Sequence, residues 1–198
     1  MTLAVSACGT SQPTPAPIAS AASTPSTSPA TSQPSIAPLP ASPGTTASPG
    51  SAVTRDDSLL SILPPEIDSV PVTAEEDSFA EAAADPAFAA NVVRAAFAIV
   101  VAPDNLASGV VAELVPGAWS DTFFTDWRET YGEGACAQAG GVVGNAEAAL
   151  DGRTVYVTTC EGGLRVYHAY LEERGVLVSL FSLGEGRFGE RLMADLRP

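Results

Sequence analysis

The first 54 residues contain neither a charged nor an aromatic side chain, and this limits what the chain can fold into more than any other feature. All 23 acidic and all 9 basic residues follow this segment, the first aromatic residue is Phe79, and ten of the 17 prolines lie within it. Such a segment cannot bury enough apolar surface to offset the conformational entropy that folding removes. We therefore expect residues 9–54 to be a disordered linker rich in proline, serine, threonine and alanine, and residues 55–198 to form a single domain.

The formal net charge is −14, and all of it belongs to the predicted domain. A surface of this charge repels nucleic acid and anionic lipid headgroups, so we expect no nucleic-acid partner and no direct binding to lipid through charge. The simplest interpretation is that the charge keeps the domain soluble.

A short motif near the N-terminus indicates how the protein is attached. Val5-Ser6-Ala7-Cys8, followed by Gly9, resembles the lipobox of bacterial lipoproteins, in which an aliphatic residue and two small residues precede a cysteine. The resemblance implies cleavage before Cys8, a lipid on its thiol, and anchoring to the bacterial cell membrane on its extracytoplasmic side. A signal peptide needs a basic region and about 7–15 apolar residues, whereas only seven residues precede Cys8. We therefore expect residues 1–8 to be the remnant of a signal peptide that starts upstream; the alternative is a chance cysteine in a disordered tail.

The other two cysteines, Cys136 and Cys160, are expected to form a disulfide. Three cysteines leave one over after a single disulfide, and lipidation of Cys8 accounts for the remaining one. Disulfides persist in oxidising compartments, and closing a loop of about 25 residues stabilises a domain by roughly 3–4 kcal/mol on the chain-entropy model. The alternative is a pair of buried reduced thiols in a cytosolic protein. With one histidine in the chain, the two cysteines cannot complete a four-ligand site, so no metal is expected.

The segment from Gly132 to Leu171 is expected to hold the main hairpin of the domain. In order, it contains a glycine-rich loop at 140–145, an apolar run at 146–150, Asp151-Gly152, and a run typical of strands at 154–159. Asp-Gly between two such runs favours a two-residue hairpin turn, because both central residues need positive φ. A disulfide between Cys136 and Cys160 would join the loop before the hairpin to the strand that leaves it.

Two helices are predicted before the first long strand. Thr73-Ala74-Glu75-Glu76 matches a capping box that starts a helix ending near Ala84. Asp85-Pro86 matches a second N-cap with proline at the first helical position. Apolar residues then recur at spacings of three and four, from Phe88 through Val92 to Ile99. This pattern predicts a helix that runs to about Val101 and is buried against the sheet.

Strand and helix patterns alternate through the rest of the chain. They predict a strand at 106–115, a helix from Ser120 or Asp121 to about Tyr131, strands at 164–171 and 176–183, and a short closing helix at 187–196. Phe123, Trp127 and Tyr131 share one face of the helix, at spacings of four residues. Most aromatic stripes of this kind lie in the core, and the others line a pocket or a partner surface.

The predicted order is helix, helix, strand, helix, four strands and a final helix. Consecutive strands joined by short turns are antiparallel. We therefore expect an α+β domain with a mostly antiparallel sheet of four to five strands and with helices packed on one face. This order resembles the nuclear-transport-factor-2-like fold, whose helices and curved sheet form a cone that encloses a pocket.

Few residues have the chemistry that catalysis requires. His168 is the single histidine, and it alternates in phase with Val166 and Tyr170 on a predicted strand. A lone histidine on a strand is more often a surface or hydrogen-bonded residue, but it is the one candidate for general acid–base work. The segment from Gly184 to Gly189 matches the dinucleotide-binding fingerprint, yet too few residues follow it for the βαβ unit that the fingerprint needs. No cofactor is therefore expected.

The leading hypothesis is a non-enzymatic, membrane-anchored lipoprotein whose small acidic domain binds an unknown ligand or protein partner. The candidate pocket residues are Phe123, Trp127, Tyr131 and His168. Two alternatives stay open: an extracytoplasmic hydrolase or isomerase that uses His168, and a purely structural envelope protein. An enclosed cavity lined by Trp127, Tyr131 and His168 would favour the enzyme, and a filled core would favour the structural protein.

Overall fold

A computed structural model describes residues 52–197 of the protein. The predicted lipidation site, Cys8, and residues 9–51 of the predicted linker lie outside the described residues. Val53 is buried, and Thr54 pairs with Arg94 on a neighbouring strand. These last two positions of the predicted linker therefore belong to the folded part.

Ten strands and four α-helices are formed within residues 52–197. The strands are β1 (Thr54–Arg55), β2 (Glu66–Ile67), β3 (Val70–Pro71), β4 (Thr73–Glu75), β5 (Val92–Ala102), β6 (Asn105–Leu114), β7 (Val142–Leu150), β8 (Arg153–Cys160), β9 (Arg165–Leu171) and β10 (Val176–Leu183). The helices are α1 (Asp77–Ala84), α2 (Pro86–Asn91), α3 (Asp121–Ala137) and α4 (Phe188–Ala194). Short 3-10 turns lie at Asp57–Ile62, Glu161–Gly163 and Glu172–Arg174.

Eight of these strands form one sheet. Its order is β1-β5-β6-β10-β9-β8-β7, and β4 also pairs with β5. Apart from the parallel pair of β1 and β5, the strands pair antiparallel. The prediction of an α+β domain with a mostly antiparallel sheet is confirmed, but a sheet of four to five strands was too small.

The largest error concerns the second predicted helix, because α2 ends at Asn91 and the chain continues as β5. Its start is as predicted: the Asp85 carboxylate caps the helix by accepting a hydrogen bond from the Ala87 N–H at 2.7 Å. The segment after Asn91 buries both of its faces, with Ala96 in one core cluster and Ala95 in the other. A strand buried on both sides is a nearly continuous apolar run, and spacing alone cannot distinguish it from a buried helix.

The capping box predicted at Thr73–Glu76 is also wrong. Thr73 lies in β4, where its hydroxyl donates to the Ile99 carbonyl at 3.2 Å. The helix α1 begins at Asp77, and the Glu75 carboxylate accepts from the backbone N–H groups of Asp77 and Ser78. Pairing with β5 therefore places in a strand the residues that the local sequence pattern assigned to the start of the helix.

Helix α3 is longer than predicted and ends at Ala137, not near Tyr131. Ser120 caps it, and its Oγ accepts from the Phe123 N–H at 3.1 Å. The extra turns place Cys136 on the helix and not in a loop, and β7 already begins at Val142. Gly132 allows this extension to lie close to β8, because a Cβ at that position would be 3.3 Å from Thr158 Oγ1.

The predicted hairpin and its cysteine pair are found in the structure. Asp151 and Gly152 connect β7 to β8 with φ values of 47° and 73°, as a two-residue turn with two positive φ angles requires. Cys136 and Cys160 form a disulfide with a Cα–Cα distance of 5.1 Å. The bond joins the last turn of α3 to the end of β8.

Helices cover both faces of the sheet, so the prediction of helices on one face is wrong. On one face, Leu192 and Met193 of α4 join a core cluster with Tyr167 and Val178. On the other face, Phe124 of α3 joins a second cluster that also includes side chains of α1 and α2. Because successive side chains of a strand point to opposite faces, a strand such as β10, buried along nearly its whole length, needs cover on both sides.

Candidate functional site

Helix α3 lies on the sheet face that contains Val110, Ala112 and Leu177. The aromatic side chains of this helix differ in depth: Phe124 is buried, whereas Phe123, Trp127 and Tyr131 are half-buried. The predicted aromatic stripe therefore divides between the core and a partly open surface.

Ser179 of β10 is the point at which the polar groups of α3 meet the sheet. Trp127 Nε1 donates to Ser179 Oγ at 2.9 Å, and the Tyr131 hydroxyl donates to the Ser179 carbonyl at 3.4 Å. His168 Nδ1 lies 2.9 Å from the same Ser179 Oγ, because His168 is the cross-strand neighbour of Ser179. Ser179 and His168 are both fully buried. This network fixes the position of α3 on the sheet.

The network also determines the form of the histidine. An indole N–H can only donate, so the Ser179 hydroxyl hydrogen is free to donate to His168 Nδ1. This assignment from the network places the ring proton on Nε2, which has no hydrogen-bond partner among the described residues. Burial, together with the nearby Arg128 guanidinium, lowers the pKa of His168 to about 3. His168 is therefore neutral at physiological pH.

Tyr131 lies directly against this histidine. The two rings meet edge to face, with their centroids 5.4 Å apart and an interplanar angle of 89°. Burial raises the pKa of the Tyr131 hydroxyl well above its usual value, so the group stays protonated. Tyr131 and Trp127 thus both turn their polar ends inward, toward Ser179.

An open groove of about 360 Å³ lies between α2 and α3, and we call it the aromatic groove. Its lining residues are Asp85, Ala87, Phe88, Asn91, Phe123, Asp126, Trp127, Thr130 and Tyr131. Trp127 is central to its aromatic surface, with ring centroids 5.9 Å from those of both Phe88 and Phe123. The lining includes two carboxylates and no basic residue.

A second cleft, of about 490 Å³, lies between α3 and the hairpin of β7 and β8. Arg128 lines it, with its guanidinium carbon 3.8 Å from the Tyr156 ring centroid and 4.9 Å from that of Phe124. Glu129 and Glu133 lie in the same lining. The two aromatic rings stabilise the half-buried cation through cation–π contacts.

The structure brings together three of the four predicted pocket residues. Phe123, Trp127 and Tyr131 line the aromatic groove, whereas His168 lies beneath Tyr131 and is not part of the lining. His168 is fully buried and lines neither the aromatic groove nor the cleft between α3 and the hairpin of β7 and β8.

Sequence reasoning missed Phe88, Asp85 and Ser179 as parts of this site. Phe88 and Asp85 were assigned to the apolar stripe and the cap of a longer helix, so their position opposite α3 was not foreseen. Ser179 is a polar residue within the apolar run of β10, and a buried hydroxyl in such a run needs a hydrogen-bond partner. That signal was present in the sequence.

Neither a metal-binding cluster nor a membrane-spanning helix is present within residues 52–197. In this part of the chain, no group of three or more histidine, cysteine, aspartate or glutamate side chains is arranged to hold a metal ion. No helix there has the length and apolar character needed to cross a bilayer.

Comparison with known proteins places the chain in no established class. No family model matches the sequence, and neither a curated protein nor a solved structure matches it. The residues and the geometry described above are therefore the basis on which function is inferred.

Proposed function

We propose that the protein is a membrane-anchored, extracytoplasmic lipoprotein whose acidic domain binds a small ligand in the aromatic groove. The observation that carries the binding proposal is the groove itself. Four partly exposed aromatic rings of α2 and α3 surround a volume of about 360 Å³, which is within the usual range for small-molecule sites. In a domain with a purely structural role, we would expect other side chains to cover these rings.

The anchoring proposal depends on the cysteines. Val5–Cys8 resembles a lipobox, and lipidation would use the one cysteine that the disulfide leaves over. The Cys136–Cys160 pair supports export, because disulfides persist in oxidising compartments. The nuclear-transport-factor-2-like cone remains a proposal for the finer architecture, supported by the helix that precedes the four-stranded meander β7–β10.

The alternative enzyme function of His168 has weaker geometric support than ligand binding. His168 is 0% exposed and its Nδ1 is bonded to Ser179, so a substrate in the aromatic groove would meet Tyr131 and Trp127 first. General acid–base catalysis needs the side chain within hydrogen-bond reach of the reacting group. Catalysis by His168 would therefore require Tyr131 and Trp127 to move aside, whereas ligand binding in the groove requires no movement of these side chains.

Lipidation of Cys8 predicts a specific change of mass. Expressed in a related bacterial host with its natural upstream region, the protein should begin at Cys8, carry a diacylglyceryl group, and gain the mass of two hydrogens on reduction. The Cys8→Ser variant should remain unprocessed and partition into the aqueous phase of a detergent separation. Intact mass spectrometry and phase partition measure both effects. An unprocessed, fully reduced wild-type chain would place the protein in the cytosol and remove the anchoring proposal.

Ligand binding in the aromatic groove predicts that filling the groove abolishes it. Thr130 is exposed and lines the groove, so the Thr130→Arg variant should fill the space without disturbing the core. Thr122→Arg makes the same change at an exposed position of α3 outside the lining, and serves as the matched control. We expect fragments from a mixed neutral, anionic and cationic set to shift groove amide signals in ¹H–¹⁵N spectra of the wild type and the control, but not of Thr130→Arg. Shifts that persist in Thr130→Arg, or no shift with any fragment at millimolar concentration, would contradict the groove as a binding site.

A further inference from the structure

We infer that the ligand of the aromatic groove is a small organic cation with a quaternary ammonium group. The inference rests on the proposed binding function of this groove and adds the chemical class of its ligand. It follows from three features of the groove: the direction of its aromatic polar groups, the charge at its rim, and its ring surfaces, which offer an N–H donor no acceptor.

The groove exposes aromatic rings without their polar ends. Trp127 Nε1 and the Tyr131 hydroxyl both donate to Ser179 beneath the helix, so neither group is available to a ligand. What remains for a ligand is the ring surface of these residues and of Phe88 and Phe123. Ring faces carry the negative part of the aromatic quadrupole. They attract a cation that lies within about 6 Å of the ring centroid.

The rim of the groove is negative. Asp85 and Asp126 line it and are both exposed, and neither belongs to an ion pair formed within the described part of the chain. The net charge of −14 adds a long-range attraction for cations. An anionic ligand would meet this field with no basic side chain in the lining to pair with it.

A quaternary ammonium group suits this lining better than a primary amine. A primary ammonium carries three N–H donors, and each needs an acceptor once water is removed. The aromatic rings supply none, and the Ala87 carbonyl already accepts from Asn91 Nδ2 at 2.8 Å. The free acceptors of the lining include the exposed carboxylates of Asp85 and Asp126 at the rim. A quaternary ammonium has no N–H to satisfy, and its methyl groups pack on ring faces. A phosphocholine headgroup adds a phosphate that the acidic rim repels, so we commit to a free cation.

The network beneath the rings holds the groove in its binding geometry. Trp127 is anchored through Ser179, which is itself fixed between β6 and β9 by strand pairing. A ligand therefore does not have to order these side chains, and this lowers the entropic cost of binding.

Four probes of similar shape test the ligand class on the full chain. These are choline, its neutral analogue 3,3-dimethylbutan-1-ol, the anion 3,3-dimethylbutanoate, and phosphocholine. We expect choline to bind at least about tenfold more tightly than any of the other three, as measured by ¹H–¹⁵N titration. The indole N–H signal of Trp127 should shift, and that of Trp119, which stacks on Tyr170 outside the groove, should stay in place.

Charge variants distinguish the contribution of the rim carboxylates to choline affinity from that of the aromatic rings. Asp85→Asn keeps a good helix N-cap, so the double variant Asp85→Asn/Asp126→Asn should fold normally and bind choline about five- to tenfold more weakly. Its affinity for 3,3-dimethylbutan-1-ol should not change. The matched control Glu129→Gln/Glu133→Gln removes two exposed carboxylates of α3 that line the other cleft, and should leave choline affinity unchanged.

The outcomes distinguish this inference from the proposed function. If the neutral alcohol or either anionic probe shifts the groove signals with an affinity equal to that of choline, the groove binds ligands but the preference for a cation is wrong. If choline binds and the rim and control variants weaken it equally, the rim is not the source of the preference and the inference fails. If none of the four probes shifts the Trp127 indole signal, the inference is wrong, whereas the groove itself is judged by the fragment titration of Thr130→Arg.

Discussion

The Gly109→Ala variant should lose about 3 kcal/mol of folding free energy or more, since inserting a methyl group where no space exists forces backbone to move. Gly109 lies in β6 opposite Leu180 of β10. A Cβ at this position would lie 2.1 Å from the Ser179 carbonyl oxygen and 2.6 Å from Leu180 Cα. Both atoms belong to the backbone of the neighbouring strand, so no side-chain rotation relieves the contact. For a domain of this size, the loss corresponds to a fall of roughly 10 °C in melting temperature.

Gly144→Ala provides the matched control for this experiment. Gly144 also lies in a strand, β7, but a Cβ there meets nothing within 4 Å. We expect the control to change stability by less than about 1 kcal/mol, with a small gain because alanine has less conformational freedom in the unfolded chain. Chemical denaturation of the two variants and the wild type measures the difference. Equal stability of the two variants would mean that β6 and β10 are not packed as described.

Gly109→Ala should also affect the aromatic groove. The backbone atom that the new methyl group would meet belongs to Ser179, and that same carbonyl accepts from the Tyr131 hydroxyl. Displacing it would loosen the hydrogen bonds that hold Trp127 and Tyr131 in place. Stability and groove geometry are thus linked through one residue of β10.

The domain should lose about 2 kcal/mol of stability between pH 7 and pH 5 because of His168 alone. Burial lowers the pKa of His168 to about 3 in the folded state, whereas an unfolded histidine titrates near pH 6.5. Above that pH the histidine is neutral in both states, and its contribution does not depend on pH. As the pH falls from about 6.5 toward 3, the unfolded chain binds a proton that the folded domain excludes, so stability is lost progressively.

The slope of the unfolding free energy against pH measures the contribution of His168 separately from other effects of a substitution. His168→Asn removes the titrating group and keeps an acceptor, the amide oxygen, for the Ser179 hydroxyl, so the variant should have a nearly flat profile between pH 7 and pH 5. The absolute stability of the variant is not the readout. Carboxylates whose pKa is lowered by hydrogen bonds and ion pairs, such as Asp56 and Asp68, contribute at lower pH and do not confuse the comparison. Parallel profiles for wild type and variant would show that His168 is not buried in its neutral form.

The location of His168 changes how its chemistry is interpreted. Its position on β9, in phase with Val166 and Tyr170, was visible in the sequence and made it the candidate acid–base residue. The structure instead places it under Tyr131, with Nδ1 held by Ser179 and Nε2 without a partner among the described residues. A buried neutral imidazole of this kind contributes to packing and to the hydrogen-bond network of α3.

Local signals in the sequence were sufficient to predict an element correctly where the residues of that element alone specify its structure. Asp151-Gly152 requires two positive φ angles, so the hairpin of β7 and β8 was predictable. Ser120 and Asp85 satisfy the first free N–H groups of a helix; the Asp85 cap was predicted at this position, and Ser120 was one of the two caps predicted for its helix. The apolar run that became β10 has turn residues before and after it, and its bounds are the predicted ones.

Tertiary structure alone decided which face of each element is covered and which side chains meet. The segment from Val92 to Ala102 is apolar on both faces, so its spacing fits a buried helix and a central strand equally well, and pairing with β6 selects the strand. Once β5 and β10 are buried on both sides, helices must cover both faces of the sheet. The aromatic groove follows from that arrangement, because Phe88 lies opposite Trp127 only after α2 has ended at Asn91. Such contacts join residues distant in sequence, and no local pattern records them.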